Sequence, residues 1–263
     1  MDPDHKTILE ARNLRKVFGG LVAVDDVNID IQEYSLHSII GPNGAGKTTL
    51  FNMISGVLRP TRGQIIFKGR DITHLPTHQI AHAGIGRSFQ ITNIFPTLSV
   101  LENIRLASQA MGKDSLRLFH LADGLNKYIQ KAEEVIALVG LTGKELIPAM
   151  SLSHGEKRKL EIGIMLAGDP ELLLLDEPTA GMSSEQVPAL LEIIQKIRNL
   201  GTKTIVLVEH RMDMVMTISD YITVMHLGNV LAEGTPQEIS NTQSVQDAYL
   251  GALYGHITEK KEA

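Results

Sequence analysis

The chain opens with two apolar, β-type runs, ILEARNLRKVF and LVAVDDVNIDI, separated by the turn signal Gly19-Gly20. QIIFKG adds a third short run, and together they predict a small antiparallel sheet. LHSII then leads directly into GPNGAGKTTLFNMISG, in which Leu50 and Ile54 lie on one helical face and Gly56 is placed to stop the helix. This reads as strand, glycine loop, helix. From about residue 94 to 141 the pattern turns helical. LSVLENIRLASQAMG and LNKYIQKAEEVIALVGL predict helices, and KDSLRLFHLADG between them has no clear period. A further helix is expected from Ser153, with Leu160 and Ile164 inward, ending at Gly168-Asp169-Pro170.

Two short, continuously apolar strands follow, ELLLLDE and TIVLVEH, with a helix from about Ser184 to Leu200 between them. Strands apolar on both faces suit a parallel sheet covered by helices. YITVM, a turn at Gly228-Asn229 and VLAEG predict a hairpin. Thr235-Pro236-Gln237-Glu238 is a helix start, with a capping threonine, a proline in the first turn and a glutamate at the third position.

Composition narrows the function classes. The net charge of −5 gives no electrostatic footprint for nucleic acid. The chain has no cysteine, which excludes disulfides, thiolate metal sites and cysteine nucleophiles. MDPDHKTILE is charged and lacks the apolar centre of a secretory signal. No apolar run approaches the roughly 18 residues needed to cross a bilayer, so work at a membrane requires a partner that spans one.

The chemistry concentrates in a few places. Gly41 to Thr48, GPNGAGKT, fits G-x-x-x-x-G-K-[ST] in full, with a strand before it and a helix after it. Backbone amides of such a loop wrap phosphate oxygens, and the helix adds its positive end. Lys47 would reach the β- and γ-phosphates, and Thr48 would ligate Mg²⁺. LLLLDE ends a strand in two carboxylates: Asp176 placed beside a metal shell and Glu177 placed to polarise a water. Taken singly, the remaining candidates stay open. His210 is either a γ-phosphate contact or a strand-end surface histidine. Gln90 is either a metal or water contact or an ordinary loop residue. Phe18 is either an adenine stacker or core.

In this order, Phe18, the Gly41–Thr48 loop, Gln90, LSHGE, LLLLDE and His210 resemble the ATP-binding cassette ATPases, from about Ile8 to Tyr254. The resemblance implies an α/β fold: a P-loop NTPase (RecA-like) core with an antiparallel β-subdomain and an inserted α-helical subdomain. One ATPase domain would span 1–263, with the nucleotide-binding core and β-subdomain in 1–92 and 165–263 and the helical subdomain in 93–164. It implies that Phe18 stacks on adenine and that Gly41, Pro42, Asn43, Gly44, Ala45, Gly46, Lys47, Thr48 and Thr49 hold ATP as Walker A. Thr48, Gln90 and Asp176 would hold Mg²⁺, and Glu177, His210 and Gln90 would be catalytic. Ser153, Gly155 and Glu156 would belong to the signature, facing the ATP of a second cassette, identical or paralogous, in a head-to-tail dimer. Permease subunits, and through them a substrate-binding protein, are the other implied partners. The implied location is peripheral, on the cytoplasmic face of the inner or plasma membrane; the 93–99 stretch, NIFPTLS, is either the contact with the permease or an ordinary surface loop.

FGGLVAVDDV, GIGRSFQ, LEIGIMLAGDPELLLLDEPTAGM and VEHRMDMV resemble the cassettes of branched-chain amino acid importers and their relatives for amides such as urea. A lipopolysaccharide or lipid exporter's ATPase is the alternative, with a soluble cassette ATPase or a non-hydrolysing regulator behind it. Three departures stand out. IQEYSLHSII lacks the glycine usual before the phosphate-loop strand. His154 and Glu156 replace a glycine and a glutamine of the signature. Ser183 or Ser184 stands where many cassettes carry an aspartate.

Overall fold

Strand β1 (Thr7–Phe18) turns back at Gly19 and Gly20 into β2 (Leu21–Gln32), and β3 (Leu36–Ile40) runs into the glycine loop and helix α1 (Lys47–Ile54). The computed structural model describes residues 6–88, 94–112 and 121–249. After α1 come β4 (Arg62–Phe67), β5 (Arg70–Asp71), α2 (Thr77–Ala83) and β6 (Ile85–Arg87). Helices α3 (Val100–Ala110), α4 (Leu121–Leu138) and α5 (His154–Ala167) precede β7 (Leu172–Asp176). Then follow α6 (Val187–Asn199), β8 (Thr204–Val208), α7 (Met212–Ile218), β9 (Tyr221–His226), β10 (Asn229–Gly234) and α8 (Pro236–Ser240).

The chain divides into two units, one of residues 1–80, 174–177 and 204–263, the other of 81–173 and 178–203. The first unit holds the expected antiparallel sheet, ordered β2-β1-β4-β5. Its inward residues Leu9, Leu14, Ile29, Ile31 and Ile65 are fully buried. A second sheet is ordered β10-β9-β3-β8-β7-β6. In it β3 runs parallel to both β8 and β9, while β10 returns antiparallel to β9 as the hairpin. β3, β7 and β8 are buried at every residue, as continuous apolar runs require. Helices α7 and α8 supply Val215 and Ile239 to a cluster with Ile40, Ile222 and Val224. The expected α1 face forms, with Leu50 and Ile54 fully buried and Gly56 following at φ 72°.

The turn before β3 lacks a glycine, and Tyr34 takes the left-handed conformation there, φ 61°. Its amide donates to Thr204 Oγ1 at 2.8 Å, which holds the turn against the start of β8. His37 inside β3 is buried. Its Nε2 bonds Thr223 Oγ1 at 2.7 Å, Thr223 donates on to Glu233 at 2.7 Å, and the ring packs on Tyr221. Burial pushes the imidazole pKa down to about 3, so the ring is neutral and the polar atom costs little.

In the second unit α3, α4 and α5 pack together. Gly163 lets them close: a Cβ there would lie 3.1 Å from Ile104 Cδ1 and 3.4 Å from Val135 Cγ1. Leu160 faces this core fully, but Ile164 is only half-buried; the inward set continues through Ile162, Met165 and Leu166 instead. Helix α6 starts at Val187 rather than near Ser184, because Pro188 in its first turn has no amide for a longer helix. Among the described residues no helix is long and apolar enough to cross a membrane.

Candidate nucleotide site

The glycine loop is shaped by two close approaches. A Cβ on Gly41, at φ 151°, would sit 2.2 Å from the Met225 carbonyl oxygen. One on Gly46, at φ 99°, would sit 2.5 Å from the Ala23 carbonyl oxygen. Only glycine fits at either point. The hairpin turn between β9 and β10 braces the loop: Gly228 N donates to Ala45 O at 3.0 Å, and Asp25 N donates to Gly228 O at 2.8 Å. Gly46 is the N-cap of α1, and no acidic residue occupies the helix's first turn. No carboxylate of the helix's own first turn therefore competes for the amides and the positive helix end.

Lys47 is 5% exposed. Its Nζ donates to the carbonyls of Gly41 at 2.7 Å and Pro42 at 3.0 Å. Burial lowers its pKa, while Glu177 and Asp176 raise it. A cation is thus set in the loop, close enough to feel both carboxylates at the end of β7.

A cavity of about 590 Å³ opens over this loop, lined by Phe18, Asn43 to Thr49, Glu177 and His210. Its apolar wall is Leu21, Val22, Ala23 and Leu227, none of which the sequence marked out. The available signal was indirect, since Leu21 and Leu227 flank the turns at Gly19-Gly20 and Gly228. Phe18 is 44% exposed at the cavity, which removes the core reading. Lys16 Nζ lies 5.1 Å from its ring centroid.

Asp176 is buried at the end of β7. Glu177 follows in the left-handed region, φ 45°, its amide bonded to Val208 O at 2.9 Å. Its carboxylate meets His210 Nε2 at 2.5 Å. A carboxylate only accepts, so Nε2 is the donor. The strand-end histidine is therefore engaged with the candidate catalytic carboxylate. Gln90 lies outside the described residues.

Ser153, Gly155 and Glu156 form a group in the second unit, at the start of α5. Ser153 caps the helix and Glu156 closes a capping box, accepting from Ser153 N at 2.9 Å. Lys144 pairs with the same carboxylate. The Lys144 bond, aided by Ser153, holds the Glu156 pKa down at about 2.

A family model described as ABC transporter matches residues 24–180. The chain belongs to the ABC transporter family. ABC relatives extend the likeness over almost the whole chain. It is 39% identical over 251 residues to the high-affinity branched-chain amino acid transport ATP-binding protein LivG of Salmonella typhimurium, covering 93% of this chain and 98% of that one. A probable LivG of Archaeoglobus fulgidus is 37% identical, covering 95% and 98%. The lipopolysaccharide export system ATP-binding protein LptB of Haemophilus influenzae is 34% identical, covering 94% and 99%. Among solved structures, the ADP conformation of an ATP-binding cassette of an ABC transporter superposes with a TM-score of 0.82 at 30% identity, covering 94% of this chain and 99% of that one. The fold is thus that of an ABC cassette.

Proposed function

We propose that this chain hydrolyses MgATP to power an importer of branched-chain amino acids or related amides such as urea. The observation that carries the chemistry is the single cavity in which a phosphate loop, its lysine, and the Glu177–His210 pair meet. Identity to the LivG proteins, at 37–39%, against 34% for LptB, favours import over lipid export.

The loop amides and the start of α1 bind the phosphates, and Lys47 offsets their charge. Phe18 offers its exposed face to the base. Thr48 lines the cavity and Asp176 is buried at the end of β7; both are hard oxygen donors of the kind that suits Mg²⁺. Bound there with the nucleotide, Mg²⁺ would neutralise charge on the phosphate oxygens. Glu177 orients the attacking water and draws on its proton, while His210 holds the carboxylate at the cavity.

Ser153 and the Gly155 amide are offered to the γ-phosphate of a second cassette, so two chains complete two sites head to tail. The permease would dock on the second unit. There Phe95, Leu146 and Met150 are exposed apolar residues, and Met150 N donates to Pro96 O at 2.9 Å. Asn103 stiffens that turn by accepting from Phe95 N at 2.7 Å and donating to the carbonyls of Phe95, Leu98 and Ser99. The protein would then sit peripherally on the cytoplasmic membrane face.

Glu177→Gln tests the chemistry. ATP affinity stays within about twofold, and turnover falls by about 10²–10⁴, the usual worth of a positioned general base. Undiminished hydrolysis by this variant removes Glu177 from its role.

A further inference from the structure

The start of α5 and the segment that follows Glu177 interlock. All the residues involved lie in the second unit. The His154 ring lies over Gly181: a Cβ added there would be 3.2 Å from His154 Nε2 and 3.8 Å from Cε1. In the opposite sense, the Gln186 amide lies over Gly155, where an added Cβ would be 3.3 Å from Cδ and 3.4 Å from Nε2. Gln186 Oε1 also accepts from Ser183 N at 3.4 Å. One turn further along α5, Arg158 Nε donates to Pro178 O at 2.9 Å. Each segment thus seats a side chain on a glycine of the other, and an arginine ties the segment at the residue next to Glu177.

We propose that His154 and Gln186 are positioning residues that lock the signature turn to the 178–186 segment, so that both respond to nucleotide as one body. The inference rests on the ATPase reading for its consequence but not for its geometry. Whatever the signature feels of a γ-phosphate is passed to the peptide that begins one residue after the catalytic glutamate. A glycine at 154, as the family pattern has it, would leave the gap over Gly181 unfilled. The altered letter therefore acts inside the subunit, by packing.

The test is hydrogen exchange on the full chain, read together with ATPase kinetics. His154→Ala and Gln186→Ala each speed amide exchange in peptides covering 179–186 by about tenfold, local opening being eased by roughly 1.4 kcal/mol. Peptides from β3 keep their protection, which separates local release from unfolding. His154→Phe keeps a ring over Gly181 and restores the wild-type rate. In hydrolysis both alanine variants lower kcat and bring the Hill coefficient for ATP toward 1, with the nucleotide affinity of the isolated chain unchanged. Unaltered exchange in 179–186 in both variants overturns the lock, whether or not the chain hydrolyses ATP. Faster exchange with wild-type kcat and Hill coefficient overturns its role in transmission. Faster exchange in both alanine variants, with no hydrolysis by the wild-type chain, supports the lock and overturns the ATPase reading instead.

Discussion

Lys47 is a nearly buried cation with two carbonyl partners and two carboxylates in electrostatic reach. The charge-assisted bonds it would make to a phosphate are of the kind worth about 1.5–3 kcal/mol. Lys47→Ala is therefore expected to weaken ATP binding by about 10–150-fold in calorimetry; an unchanged affinity would sink the phosphate-loop assignment. At this scale the loop residues that line the cavity were legible, because the pattern G-x-x-x-x-G-K-[ST] encodes backbone shape as well as chemistry. What escaped was conformation. Nothing local in IQEYSLHSII announces that Tyr34 adopts φ 61° where a glycine is usual, with its amide held by Thr204, 170 residues away in sequence. The tolerance of His37 in a buried strand was likewise hidden, since its partner Thr223 comes from a distant strand.

Helix α5 shows what a capping pattern does and does not reveal. Ser153 and Glu156 read as a capping box from spacing alone, and the box forms. Lys144 could not be inferred, because its pairing with Glu156 depends on the loop before α5. The pair has a pH consequence. Glu156 titrates at about 4.5 in an ordinary setting and at about 2 in the fold. A depressed carboxylate contributes stability that is complete above about pH 4.5 and is lost as the pH falls toward 2. Glu156→Gln should therefore lower the melting temperature by about 2–4 °C near neutrality, for a cost of about 1 kcal/mol. That deficit should shrink between pH 4.5 and 2. A difference that stays constant with pH would contradict the assignment. Helix α6 illustrates the opposite lesson: Pro188 was visible in the sequence, yet periodicity alone drew the helix back to Ser184.

At the scale of the molecule, the antiparallel sheet, the parallel character of the buried apolar strands and the hairpin followed from runs of apolar residues and their turns. The strand order did not, because β3 and β8 are brought side by side by long crossovers that no local pattern specifies. An assembly that shares its ATP sites between two chains has a simple signature in solution. With Glu177→Gln and MgATP, light scattering should report about twice the 28.8 kDa mass of one chain, reverting when nucleotide is removed; a mass that ignores ATP would argue against shared sites. One residue carries a cost of another kind. Glu177 holds a left-handed backbone, φ 45°, which costs a non-glycine residue about 1–2 kcal/mol. A laboratory evolution screen that rewarded heat resistance alone would drift at this position toward glycine or asparagine and return robust, inert protein. Only a screen that also rewarded turnover would keep the glutamate.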